Sequence, residues 1–178
     1  MSAILTRFHR RFFRQTGGAV AVEFAMVALP LLMMLFSILE QGMVYIVSST
    51  LEAATYSSAR AIRTGQAQTA NATATSFKND VCAKLSWLGS QCQSNLLIDV
   101  RTYSSFTNPG VTPPLKNGQM DPTQMSWDAG KAGDIVLVRA YYSWPLMLAG
   151  WSSGLAKTSD GKAVITATTT FRNEPFSS

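Results

Sequence analysis

The stretch Gly17 to Val47, GGAVAVEFAMVALPLLMMLFSILEQGMVYIV, decides the architecture. It opens with two glycines, runs into small apolar residues and carries one carboxylate, Glu23, near its start. From Phe24 to Leu39 sixteen residues pass without a charge. About twenty apolar residues make a helix that crosses a hydrocarbon core. Backbone groups in lipid must satisfy one another, so the run predicts a helix spanning about residues 20–42.

Working outward, the N-terminal side is short and basic. Arg7, Arg10, Arg11 and Arg14 precede the run, and no acidic residue comes before Glu23. From Ala19 onward eleven Lys and Arg face ten Asp and Glu, so the net charge of +5 belongs mostly to the leader. A basic patch for nucleic acid is not indicated on the remainder. The block instead predicts a cytoplasmic N-terminus, a single crossing of a lipid bilayer and an exported C-terminal part. A removed secretory signal is the competing reading. The run is long for one, and the residues after Leu39 are Glu40, Gln41 and Gly42 rather than a small-x-small site.

On the other side the helical pattern continues. Val47, Leu51 and Ala54 keep an i, i+4, i+7 spacing, no Pro or Gly falls between Met43 and Thr64, and Gly65 is a natural stop. The expectation is one helix over 19–64, about 45 residues and roughly 65–70 Å long. Pro30 should kink it, because its ring removes a ladder bond and crowds the preceding turn. Residues 65–178 then form a small exported domain. Phe77 to Leu88 reads as a short amphipathic helix, and LLIDVRTY, ending at Tyr103, as a strand. Residues 104–130 are rich in Pro, Gly, Asn, Ser and Thr and read as a long loop. DIVLVRAYYS (134–143), ended by Trp144-Pro145, and AVITATTTFR (163–172) are further strands. Leu146 to Ala156 reads as a short helix or a loop near the membrane. The fold class is α+β: a long kinked N-terminal helix followed by a two- to four-stranded antiparallel sheet.

The only histidine, His9, lies in the basic leader, which leaves the exported part without Ser-His or Cys-His chemistry or a histidine zinc ligand. No phosphate loop or dinucleotide fingerprint is present. The expectation is a protein with no cofactor, no metal and no catalytic residue. Cys82 and Cys92 are the only cysteines and fall on the exported side, where an oxidising compartment favours a disulfide. Tyr141, Tyr142, Trp144 and Trp151 fit sheet core or a headgroup belt better than an adhesive patch. Arg172-Asn173-Glu174 could cap the last strand or meet a partner, and the sequence does not choose.

Glu23 carries the sharpest reading. A carboxylate in lipid is costly unless paired. If the chain were cut after Gly18, the new α-amino group of Ala19 would lie one helical turn away. Basic residues, Gly18, four small apolar residues and then Glu23-Phe24 resemble the class III signal of type IV prepilins. The resemblance is closest to TadE-like proteins of the Flp, or tight-adherence, pilus. It extends to Ile38-Leu39-Glu40-Gln41-Gly42, to AATYSSARAIRT (53–64), to the strand leading to Trp144-Pro145 and to Phe171-Arg172-Asn173-Glu174-Pro175-Phe176.

That resemblance implies a pilin-like fold with a leader over 1–18 and scission between Gly18 and Ala19. It gives Glu23 and Phe24 assembly roles. The implied partners are a prepilin peptidase, other pilin and pseudopilin subunits and the inner-membrane pilus assembly platform. The implied place is the bacterial inner membrane, with the domain periplasmic and an extracellular fibre as a later location. A major pilin of this type is very short, so a domain of this size implies a minor pilin or pseudopilin. The rival readings are an envelope binding protein that never polymerises and an anchored periplasmic enzyme.

Overall fold

The computed structural model describes residues 16–106, 114–147 and 158–176, with the side chains of residues 16 and 17 left aside. The chain divides into two compact units, Met1–Glu40 and Gln41–Ser178. The first is helical throughout its described part and forms the opening of α1, which runs Thr16–Arg63 with Pro30 inside it. The long helix foreseen from the apolar run is therefore present.

The second unit is an α+β domain. From Val44 the helix becomes one-sided: Val47, Leu51, Ala54 and Ile62 are buried, while Tyr45 and Tyr56 stay exposed. Their 3–4 spacing puts the buried set on one face. Gly65 ends the helix in the left-handed region, at φ +80°. A side chain there would also collide with the Phe176 ring, 2.4 Å from an ideal Cβ. Only glycine fits both demands. After a four-residue turn of helix (α2, Gln66–Thr69), α3 spans Ala74–Lys84. A capping box starts it: Ser76 N donates to Thr73 Oγ1 at 3.2 Å and Thr73 N to Ser76 Oγ at 2.8 Å. The amphipathic segment foreseen to Leu88 breaks at Leu85 into a 3-10 turn, Ser86–Leu88, before α4, Gln91–Asn95. Phe77, Val81 and Leu85 are buried as their spacing predicts.

Three antiparallel strands follow in the order β1-β4-β5: β1 Leu96–Tyr103, β4 Ile135–Pro145 and β5 Lys162–Arg172. Leu96, Ile98 and Val100 of β1, with Val136, Val138, Ala140 and Tyr142 of β4 and Ile165 and Ala167 of β5, join the helical residues in one core. Alternate residues share a face, so the other face carries Leu137, Tyr141 and a buried ion pair. Register sets Asp99 opposite Arg139. Asp99 Oδ2 accepts from Arg139 Nε at 3.1 Å and Nη2 at 2.6 Å, while Oδ1 accepts from Arg101 Nε and Ser126 N, each at 2.9 Å. All four acceptor positions of the carboxylate are thereby used.

Two strand readings need correction. β4 does not stop before Trp144-Pro145 but runs through Pro145, because β1 ends its pairing at Tyr142. A missing N–H there costs no ladder bond. Residues 104–130 also hold more than a loop. They contain a hairpin (β2, Leu115–Lys116; β3, Gln119–Met120), a 3-10 turn at Pro122–Gln124 and a parallel bridge from Trp127 to Val100. The turn residues that signalled a loop are hairpin chemistry: Asn117 has φ 54° and Gly118 φ 75°. Trp127 is the anchor, donating its indole N–H to Ala72 O at 2.9 Å and packing its ring 5.5 Å from Phe77. The helix or loop foreseen over 146–156 falls from residue 148 onward outside the described residues.

Asp99→Ala leaves the Arg139 cation buried without its carboxylate and should cost about 3–5 kcal/mol, whereas Asp99→Leu with Arg139→Met should lie within a few kcal/mol of the parent. Denaturant unfolding of the micelle-bound chain measures both.

Burial raises the Tyr141 and Tyr142 phenols above their ordinary value. The folded state prefers the neutral phenol. Its contribution is therefore complete below about pH 10 and is lost as pH climbs through the folded values. Phenolate absorbance should show two of the five tyrosines titrating late, together with loss of near-ultraviolet dichroism.

Candidate functional site

The residues singled out by sequence lie in two places. Gly18, Ala19, Glu23, Phe24 and Pro30 are on the first part of α1. Between Gly18 and Leu39 the apolar side chains are exposed on every side of the helix: Phe24 and Met26 are each 73% exposed, Val27 68% and Leu31 63%. Its most apolar stretch has a mean hydropathy of 2.3, and none of that stretch is buried. Water is a poor solvent for such a surface, whereas lipid or other apolar helices are good ones. Ser37 turns its hydroxyl back to Met33 O at 2.8 Å, which removes its polar group from the surface.

Within this apolar surface Glu23 is exposed and has no ion-pair partner among the described residues. Ala19 is four residues earlier on the same helix, hence on the same face. Phe24 neighbours the carboxylate with its ring exposed. Glu40, in the Glu40-Gln41-Gly42 step, is 2% exposed.

Cys82 and Cys92 form a disulfide with Cα atoms 5.7 Å apart, tying α3 to α4 across a sequence separation of 10. Tyr141 and Tyr142 are core residues, each 1% exposed, and Trp144 packs 6.4 Å from Tyr142. Trp151 lies outside the described residues.

The open question over Arg172-Asn173-Glu174 has an internal answer. Arg172 Nε donates to Gly133 O at 2.7 Å, Asn173 Nδ2 to Ala129 O and Lys131 O, each at 3.0 Å, and Glu174 pairs with Arg63 at 3.2 Å. Gln68 Nε2 reaches the same Ala129 carbonyl at 2.8 Å. These contacts, and the Asp99–Arg139 pair, were not read from the sequence. The only available signal was an acid and a base inside two hydrophobic strands, and their meeting depends on register.

Among the described residues no group of three or more His, Cys, Asp or Glu could hold a metal ion. Asp99, the most buried carboxylate of the domain, is fully engaged by its two arginines and a backbone amide.

The N-terminal helix is long and apolar enough to cross a membrane, and it leads into a small α+β domain stapled by one disulfide. The family model described as TadE-like protein matches residues 18–60, the segment that carries Gly18, Glu23 and Phe24. This suggests a Tad-type pilus-associated protein. No curated protein and no solved structure matches the chain.

Replacing both Cys82 and Cys92 with Ser should lower domain stability by about 2–3 kcal/mol through the freed loop of the unfolded chain. The measurement is denaturant unfolding of oxidised, reduced and double-substituted chains; coincident curves would show the bridge energetically idle.

Proposed function

We propose that the chain is a minor pilin or pseudopilin of a Flp, tight-adherence type IV pilus, contributing to pilus assembly, adhesion and surface colonisation without enzymatic activity. The observation that carries the reading is the lone carboxylate Glu23 in an otherwise uncharged apolar helix surface, exposed except at the half-buried Ala28, Met33 and Ser37, within the TadE-like match. In this reading the basic leader stays in the cytoplasm, the helix is held in the inner membrane and the domain lies in the periplasm. A prepilin peptidase cuts between Gly18 and Ala19. The new α-amino group of Ala19, on the chain itself or on a neighbour, then neutralises Glu23, because an ammonium–carboxylate pair costs far less in lipid than a lone charge. Apolar contacts with other pilin helices replace lipid contacts as the assembly platform draws the subunit out. Pro30 gives the helix a place to bend during that transfer.

The experiment is the mass of the membrane-extracted chain made with and without an active prepilin peptidase. The expected mature chain begins at Ala19, and Gly18→Trp retains the leader. Glu23→Ala should still be cut yet lose most of its crosslinks to other pilin subunits. A leader retained beside a peptidase that cuts a control prepilin would sink the pilin reading and favour an envelope anchor.

A further inference from the structure

β5 is the open edge of the sheet: among the described residues nothing pairs on its outer side. The phase of its ladder fixes which groups face outward. Asn173 N donates to Asp134 O at 2.8 Å and Gly133 N to Asn173 O at 3.2 Å, so residue 173 turns its backbone toward β4. In an antiparallel ladder this alternates. Residues 171, 169, 167, 165 and 163 therefore bond β4, and Val164, Thr166, Thr168 and Thr170 aim their N–H and C=O away from it. The same rule turns Val100 outward from β1, and there Ser126 O accepts from Val100 N at 2.8 Å while Val100 O accepts from Asp128 N at 2.9 Å. Among the described residues, the β1 edge is covered at Val100 and the β5 edge is not. Exposed edges are ordinarily blunted by charge, proline or a bulge. Between Lys162 and Arg172, AVITATTTF has no charge and no proline, and its pairing with β4 is unbroken.

Beside this edge runs a groove floored by the outward face of α1. One part, about 450 Å³, lies between the Glu52–Tyr56 turn and residues 167–169. The next, about 290 Å³, lies between Tyr56–Arg63 and residues 169–171. β5 and α1 thus advance in the same direction along it. Thr55 lines the first part, and its buried hydroxyl has no hydrogen-bond partner among the described residues. The groove is where a fourth strand would lie, one strand spacing beyond β5 and packed on the helix.

Its charges specify the occupant. Glu52 and Arg60 stand on either side of Tyr56 on this face, both exposed and neither in an ion pair among the described residues. Eight helical residues rise about 12 Å. A strand covers that distance in about four residues, an even number, so the two side chains that meet these charges share one face of the strand. Antiparallel pairing is the more stable per residue, and it makes the strand enter at the Arg60 end. We propose that β5 and the outward face of α1 form a docking groove for one extended strand of a partner protein. The strand runs antiparallel to β5 and is uncharged in its middle. It carries an acidic residue against Arg60 and a basic residue, four positions later, against Glu52.

A second copy does not supply that strand. The one place in this chain where an acid precedes a base by four residues is Asp80 and Lys84, inside α3. The inference does not rest on the pilin reading and survives its failure.

The test uses the full chain in nanodiscs, with the strand Asp-Val-Thr-Val-Lys fused after Ser178 through a flexible glycine-serine linker. Amide hydrogen exchange is followed by NMR. The amides of Val164, Thr166, Thr168 and Thr170 should slow by about tenfold or more relative to the unfused chain. The reversed strand, Lys-Val-Thr-Val-Asp, should protect them less. Thr168→Pro, which removes one outward N–H, should erase the gain while the β4 amides stay protected. Unchanged exchange overturns the groove, and equal protection by both charge orders overturns the charge assignment. Protection in the unfused chain that grows with its concentration would instead mean that copies pair through β5.

Discussion

One continuous helix has to satisfy two different surroundings, and the rest of the chain follows from that constraint. Up to Leu39 its surface is apolar on all sides; from Val44 it is apolar on one side only. The first pattern is that of a segment surrounded by lipid or by other helices, the second that of a helix lying on its own domain. The domain is built around the one-sided half. Leu51 and Ile62 are wholly buried, and burying a side chain of that size is worth about 1.5–3 kcal/mol each. A sheet of three strands offers one broad apolar face to receive them. Its other face has to be closed by something else.

That closure is polar. Asp99 and Arg139 meet across β1 and β4, and the same carboxylate reaches Arg101 and the backbone of Ser126, while Arg101 Nη2 donates to Gln124 O. A buried pair of this kind adds little net stability over a hydrophobic pair. Its effect is on specificity. A one-residue slip of β1 against β4 would turn Asp99 into the apolar face beside Val100's neighbours and strand Arg139. The pair therefore locks the register, and through Ser126 and Gln124 it also fixes the segment that returns over β1. The hairpin and the Trp127 bridge stand on this anchor, which is why residues 114–128 hold structure where composition suggested a loop.

The long helix and the three long strands were legible in the sequence because each is written locally. The run from Phe24 to Leu39, the spacing of Val47, Leu51 and Ala54, and the β-branched stretches around Val138 and Ile165 carry their own period. The disulfide followed from there being two cysteines. The segment around Gly18 and Glu23 was legible as a motif, and its reading as a processing site belongs to the proposed function. What stayed hidden depends on distant residues. Asp99 reads like any polar residue of a half-exposed strand until Arg139 is placed opposite it. Nothing near Trp127 announces that its indole will reach Ala72. The tail residue Asn173 looks free until the 129–131 turn arrives beneath it.

The tail also explains why the helix can end so abruptly. A helix C-terminus leaves carbonyl groups without partners, and a domain packed against it cannot leave them dry. Glu174 N donates to Arg63 O at 2.9 Å while the Glu174 carboxylate pairs with the Arg63 side chain, so one residue serves both the backbone and the charge of the last turn. Two residues on, Phe176 fills the space that any side chain at position 65 would need. The final stretch of the chain is thus the C-cap of its longest helix, supplied from the far end of the sequence. The same tail leads directly out of β5, so holding it on α1 also holds the end of β5 beside α1. Arg63, held by the Glu174 carboxylate, lines one end of the groove between that strand and the outward helix face.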